Sequence, residues 1–321
     1  MGRYLIRRLG FALLLIFVVS SASLLLTRLA PGDFSDQAFT DDPAAREQLR
    51  RELGLDRSLA SHYFSWLGGV VRFDFGRSWL YSRPVSALIA ERALNTALLA
   101  TVALLLATAI GLPLGIYSGT RPRGPGRWLV GAMSVLGISV PPLIGSLLLV
   151  FIAARTGWFP VGGMTSTAAL DLNWTQWLAD LAQHLPVPAL ALGIPLAASL
   201  ERLQSQAIES ASREPFVAAS RARGLERAQA LWRHAWPVSL RPVLGLYGVM
   251  IGSLFSGSFI VEVVTSWPGL GRLMFDALKA RDLFLVAGCA ATGALFLAIG
   301  TLIADLLLAW SDPRVRAGDD A

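Results

Sequence analysis

Apolar runs long enough to cross a bilayer, parted by short islands of charge, constrain this chain more than any other feature. Six such segments stand out, at about 9–30, 93–117, 129–154, 186–204, 243–264 and 284–309. Each is near the roughly 18–25 residues a helix needs to span a hydrocarbon core about 30 Å thick. Only 16% of the 321 residues are charged, where a soluble domain carries about 25%. In lipid every backbone N–H and C=O must be satisfied within the protein, so these runs are expected to be helices. The fold class that follows is an all-α integral membrane protein with about six transmembrane helices.

The fourth segment is the least apolar and holds Pro186, Pro188 and Pro195. Proline is tolerated in a membrane helix where neighbours satisfy the freed backbone groups, so a kinked helix inside a bundle is expected. Small residues recur in the third segment (Gly131, Gly137, Gly145) and the fifth (Gly245, Gly248, Gly252, Gly257). Close helix packing explains them most simply; a flexible gate is the sharper alternative. The basic start resembles a signal peptide, with small residues near Ser20–Ala22, but the apolar run from Leu9 to Ala30 exceeds a signal core of about 7–15 residues. An uncleaved first helix is expected.

Arginine sets the orientation. Arg3, Arg7 and Arg8, then Arg121, Arg123 and Arg127, then seven arginines between Arg202 and Arg241, then Arg314 and Arg316 fall on one side. The opposite short loops hold only Arg155, Arg272, Lys279 and Arg281. Short basic loops stay in the cytoplasm, which puts both termini inside. The long 31–92 segment is then external. Within it Asp42 can cap a helix that Pro43 opens and Gly54 closes, with Leu49, Leu53 and Leu55 on an apolar side. The aromatics of "HYFSWLGGVVRFDFGRSWL" suit the membrane interface, or a docking surface for a partner.

Several chemistries are disfavoured. The single cysteine, Cys289, lies in an apolar run, and His62, His184 and His234 match no metal-ligand spacing. The only lysine, Lys279, sits in "DALKARD", which is not a P-loop. No G-x-S-x-G or H-E-x-x-H occurs, so a membrane-embedded enzyme is not indicated, and the net charge of +6 reflects topology rather than nucleic-acid binding. An ion-coupled secondary transporter would place ionisable groups within its spans, and Ala93–Ile116 and Trp128–Ala154 contain none. Broken helices at Pro141-Pro142 keep that alternative open. Asp305, inside the sixth run, reads as interfacial, and Glu262, at the outer end of the fifth, as facing a cavity, a gate or a neighbouring arginine.

The loop between the fourth and fifth segments, "SREPFVAASRARGLERAQALWRHAWPVSLRPVL", is the most informative stretch. Pro215 suits the first turn of a short helix that Gly224 ends. A second helix is expected from Leu225 to Trp236, before Pro237. Phe216, Val217 and Leu225 would project as apolar anchors from a basic element, fit for a partner's groove or for anionic lipid.

This loop resembles the cytoplasmic loop of permease subunits of ATP-binding-cassette importers, E-A-A-x3-G-x9-I-x-L-P. Here it falls on Ala218, Ala219 and Ser220, then Gly224, then His234, Ala235, Trp236 and Pro237. Ala218 stands for the opening Glu, Ser220 for the second Ala and His-x-Trp for I-x-L. "FVAASRARGL" is similar to the Y-V-x-x-A-R-A-K-G-L form of the dipeptide, oligopeptide and nickel branch. Further blocks agree in order, among them "TRLAPGD", "DFGRS", "ERALNTALLA", "RTGWFPVGG", "VVTSWPGLGRLMFDALKARD" and the terminal "DPRV".

The resemblance implies a type I importer permease in the bacterial cytoplasmic (inner) membrane, moving di- or oligopeptides, with nickel chelates or glycosides as alternatives. It implies a second homologous permease subunit, two cytoplasmic ATPase subunits that bind Mg-ATP, and a periplasmic or lipid-anchored substrate-binding protein. This chain would hold no cofactor of its own. Its parts would be residues 1–30 (start and first helix), 31–92 (periplasmic), 93–312 (five-helix permease domain with coupling loop 205–241) and 313–321 (tail). Phe216, Ala218, Ala219, Ser220, Gly224, Leu225, His234 and Pro237 would form the ATPase-coupling site. Glu262, Trp267, Pro268 and Gly269 are candidates for a periplasmic gate, the last three in a tight turn.

Overall fold

A computed structural model of the chain describes residues 2–35, 43–53, 58–70, 72, 74–121, 123–166 and 172–311. Asp42, Gly54, Leu55 and the 313–321 tail, with Arg314 and Arg316, lie outside the described residues. The described elements are helical: α1 Gly2–Leu29, α2 Pro43–Glu52, α3 Leu59–Val70, α4 Val85–Thr120, α5 Pro125–Ser139, α6 Pro142–Thr156 and α7 Trp174–His184. They continue with α8 Pro186–Ser212, α9 Pro215–Ala222, α10 Arg227–Ala230, α11 Trp236–Val264, α12 Leu270–Ala280 and α13 Leu283–Ser311. Among the described residues four helices are long and apolar enough to span a membrane, and two bent pairs bring the number to six if each is one span.

The third apolar run is not one straight helix. α5 and α6 meet at 105°. Val140, forced out of the helical region by the following proline, takes φ −86° and ψ 113°, and Pro141 takes φ −59° and ψ 145°. Pro142 then starts α6 at the position where a missing N–H costs nothing. The fourth run is the end of a longer device. α7 precedes it, opened by a capping box in which Asn173 accepts from the Gln176 amide and Gln176 accepts from that of Asn173. α7 and α8 meet at 46°, just before Pro186.

The chain divides into two compact units, Leu98–Trp267 with the chain from Ile299, and Gly2–Ala97 with Pro268–Ala298. In the first, α8 is the central element, packing against α5, α6, α7 and α11. Its Ala189, Ala191 and Leu192 join Leu99, Leu254 and Trp267 in one core, and Ala197 and Leu200 join Ala107, Val243 and Met250 in another. Close packing places glycine differently from expectation. Gly137 meets Ala198 and Gly257 meets Leu192, but a side chain at Gly131 or Gly245 would meet nothing within 4 Å. The tight row is Gly111, Gly115 and Gly119 of α4: a Cβ at Gly111 would lie 2.6 Å from the Ala197 carbonyl, and one at Gly115 2.8 Å from that of Glu201. The constant offset along both chains makes α4 and α8 parallel neighbours. Apolar side chains such as Leu129, Met133, Leu136, Leu148 and Phe151 point outward from α5 and α6, the inverse of a water-soluble surface.

In the second unit, Val85 and Leu88 pack with Leu270, Leu273, Ala277, Leu285 and Cys289. Trp66 is not an interfacial aromatic: it is buried with Leu24 and Ala287, while Phe64 stays exposed. Asp282 caps α13 by accepting from the Leu285 amide at 3.2 Å. Its other oxygen accepts from Ser78 Oγ at 2.6 Å and the Leu80 amide at 3.1 Å, which fixes the 77–84 turn.

Candidate functional site

The 205–241 segment is built as a rigid corner. α8 ends at Ser212; Glu214 is extended and Pro215 opens α9. α9 closes in a Schellman motif: the Gly224 amide donates to the Arg221 carbonyl at 2.9 Å and the Leu225 amide to the Ser220 carbonyl at 3.3 Å. Gly224 carries the positive φ, +98°, that this closure needs. The expectation for Pro215 and Gly224 therefore holds.

The second helix does not hold as expected. It begins at Arg227 rather than Leu225 and does not stop before Pro237. Leu231–Ala235 form a π-turn that runs straight into α11, and the Trp236 amide donates to Leu231, five residues back. The cause is Pro237, which has no N–H and whose ring would strike the carbonyl four residues earlier. A widened turn relieves both problems without ending the helix.

Burial sorts the expected anchors. Val217 is buried against Ala211, Ala230 and Ala235, with Leu225 and Val238 packed on the same cluster. Ser220 is fully buried and donates to the Val217 carbonyl at 2.7 Å. Val217 and Leu225 thus hold the corner together instead of projecting. Phe216, 43% exposed, stays outside with Ala218, Ala219 and Gly224. His234 is half-buried and Pro237 exposed. The exposed surface is consequently one aromatic ring and two small residues on a short helix, bordered by Arg221 and Arg223.

Polar bonds tie this corner to the bundle. Glu209 near the end of α8 accepts from Arg213 at 2.6 Å and from Arg127 of α5 at 2.8 Å. Arg227 donates to the Thr120 carbonyl at the end of α4 at 3.2 Å. A cavity of about 200 Å³ lies between these helix ends, with Glu209, Arg213, Val217, Arg221 and Arg227 on its walls.

Of the other candidates, Glu262, Trp267 and Gly269 are buried and Pro268 is half-buried. Glu262 and Trp267 are each 0% exposed, and the Trp267 amide donates to the Glu262 carbonyl at 2.9 Å. Ser266, not a glycine, supplies the left-handed residue of this turn, with φ +54°. In the second unit the Pro268 carbonyl accepts from Asn95 at 2.8 Å and Arg92 at 3.3 Å. Gly269 there is the extended N-cap residue of α12. Sequence reasoning missed Glu201, buried and bonded to two serines. Its signal was an acidic residue inside a proline-rich apolar run.

Comparison with known proteins places the chain in a family. The family described as Binding-protein-dependent transport system inner membrane component matches residues 111–317. Residues 1–100 match its companion, Binding-prot-dependent transport system membrane comp, N-term. The chain is 32% identical to the oligopeptide transport system permease protein AppB of Bacillus subtilis (strain 168), across 98% of this chain and 100% of that protein. It is 33% identical to the dipeptide transport system permease protein DppB of Lactococcus lactis subsp. cremoris, with the same coverage. A putative peptide transport system permease protein of Brucella abortus (strain 2308) is 34% identical across 98% of this chain and 99% of its own length. The chain belongs to the family of binding-protein-dependent inner-membrane transport components. It is a multi-pass permease subunit of an ATP-binding-cassette importer in the bacterial inner membrane.

Proposed function

We propose that this permease carries di- or oligopeptides inward, forms half of the translocation path beside a second homologous subunit, and takes its energy at the 205–241 corner. Two cytoplasmic ATPase subunits bind Mg-ATP, and an extracytoplasmic binding protein delivers the peptide. The peptide cargo rests on likeness to relatives named for oligopeptide and dipeptide transport. The arginine-rich side, and with it the corner, faces the cytoplasm.

The observation that carries the energy-coupling reading is the Schellman-closed helix α9, braced from behind and bare at Phe216. Moving a two-state bundle from 1:99 to 99:1 needs a differential of roughly 5.5 kcal/mol. A helix packed through Val217 on Ala211, Ala230 and Ala235 can transmit that; a loop without such packing would deform first. Phe216, Ala218 and Ala219 enter the ATPase groove, while Gly224 and Leu225 set the angle at which they enter. Glu262, Trp267, Pro268 and Gly269 belong to an outer seal, an assignment supported by the burial of Glu262, Trp267 and Gly269 and by the bonds to Pro268.

The test is Gly224→Asp in the native membrane. Open space surrounds this position, so the damage comes from backbone strain of about 1–2 kcal/mol confined to the corner. Membrane insertion should be normal, while the ATPase subunits are lost on purification and transport stops. Full transport by this variant would sink the assignment.

A further inference from the structure

Glu201 is a carboxylate in the interior of α8, 3% exposed, with both oxygens occupied. Ser118 Oγ of α4 donates to one at 2.5 Å, and Ser134 Oγ of α5 donates to the other at 2.5 Å. The serines are themselves buried. Three helices therefore meet at one buried carboxylate within an apolar run. Such a group is costly away from water unless paired, and a node of this kind is strained by any motion that separates its members.

The helices around it share a fixed register. Gly137, Ser134 and Arg127 of α5 meet Ala198, Glu201 and Glu209 of α8 in turn, so the two run antiparallel. Gly111 and Gly115 set α4 against α8 close to the same level. Beside the node lies a cavity of about 900 Å³. Glu201 and Ser118 line it together with Arg123, Arg127 and Arg202. A carboxylate released by Ser134 would face this cavity, whose walls carry those guanidinium groups beside the apolar Trp128, Val135 and Leu136. This makes the node an openable contact instead of a permanent one.

We propose that Glu201 is a positioning residue for transport, holding α4 and α5 on α8 in the conformation seen here, and that the permease opens this node whenever it changes state. The inference rests on the reading that ATPase subunits drive the chain through the 205–241 corner. α8 leads directly into that corner, and Glu209 joins Arg213 there to Arg127 of α5. Movement of the corner therefore reaches α5 at two points, Glu209 and Glu201.

The experiment uses the intact importer reconstituted in lipid with its binding protein, and reads tripeptide moved per ATP hydrolysed. Glu201→Ala removes both contacts, Ser134→Ala removes one at little change in volume, and Glu201→Gln keeps an acceptor and adds a donor that a serine oxygen can accept. Glu201→Ala should lower the transport-to-ATP ratio about tenfold, within the 5–150-fold range of ordinary coupling free energies, and raise hydrolysis in the absence of binding protein. Ser134→Ala should shift both readings in the same direction by less, and Glu201→Gln should restore the ratio. A ratio unchanged in both alanine variants, even with less assembled complex, overturns the proposal, as does a Glu201→Gln importer as uncoupled as Glu201→Ala. If Glu201→Ala does not assemble, Ser134→Ala decides. Failure of the underlying reading looks different, because the unaltered chain would then show no ATPase-driven transport at all.

Discussion

Gly111→Ala adds one methyl group at the point where α4 rides against α8. Its Cβ would sit 2.6 Å from the Ala197 carbonyl oxygen and 2.8 Å from Leu200 Cβ. Ordinary contact begins near 3.4 Å, so the helices must part by about 0.8 Å. The nearest atom is backbone and cannot rotate away. Overpacking of this kind costs about 1–3 kcal/mol, partly offset by the gain of roughly 1 kcal/mol when alanine replaces glycine in a helix. Gly131→Ala is the matched control, because its Cβ meets nothing within 4 Å and only the propensity gain remains. Equilibrium unfolding in mixed micelles, followed by loss of helical circular dichroism as SDS is raised, compares the two. Gly111→Ala should unfold at lower SDS and Gly131→Ala at equal or higher SDS than the parent. Equal midpoints for the two variants would refute the close-approach argument.

Two further outcomes concern the 77–84 turn. Asp282→Ala leaves Ser78 Oγ and the Leu80 and Leu285 amides without their acceptor, at about 1–3 kcal/mol for a buried group left unsatisfied; hydrogen exchange at Leu80 and Leu285 should accelerate while α8 amides do not change. Tyr81 has its phenol pKa raised above the usual 10.0, first by burial and then by the nearby negative charge of Asp276. A raised folded pKa gives stability that is complete below the unfolded value and is lost as pH climbs through the folded one. The difference in 295 nm absorbance between the parent and Tyr81→Phe should thus titrate above pH 10, and a midpoint at or below it would contradict the assignment.

Hydropathy marked out the spans well wherever a helix is apolar on every face, as α1, α4 and α13 show. It undervalued α8, because a helix enclosed by α5, α6, α7 and α11 need not be apolar on every face. That freedom is what admits Glu201 and Gln204, both buried in α8. The break at Pro141-Pro142 was legible from the proline pair, but its 105° angle comes from packing that no local pattern encodes. α7 and α12 are short and only half apolar, so they escape a search for long runs; the Asn173-x-x-Gln176 capping box was the available signal for the first. At the 205–241 corner, Pro215 and Gly224 announced their structural roles because each has few conformational uses. Which apolar residue faces outward was not readable: Phe216 and Val217 are adjacent, and only the position of Ala211 and Ala235 behind Val217 separates them.

Pro237 carries the larger mechanical consequence. Had it ended a helix, the corner would join the bundle through a hinge, and a push from the ATPase side would be spent in bending it. The π-turn instead keeps Arg227–Leu254 one continuous helix, and α11 extends it to Val264. At 1.5 Å per residue this lever is on the order of 50 Å long. A tilt of about 5° at one end of such a rod displaces the other by roughly 4 Å, on the scale of one helical turn. The tilt is passed on only while the turn stays wide enough for the proline ring. Pro237→Ala returns the missing N–H and lets the turn relax to an ordinary α-helix, which rotates everything before it about the helix axis, α10 and the Val217 cluster included. The same residue that would usually break a helix therefore sets the angle at which this one leaves the 205–241 corner.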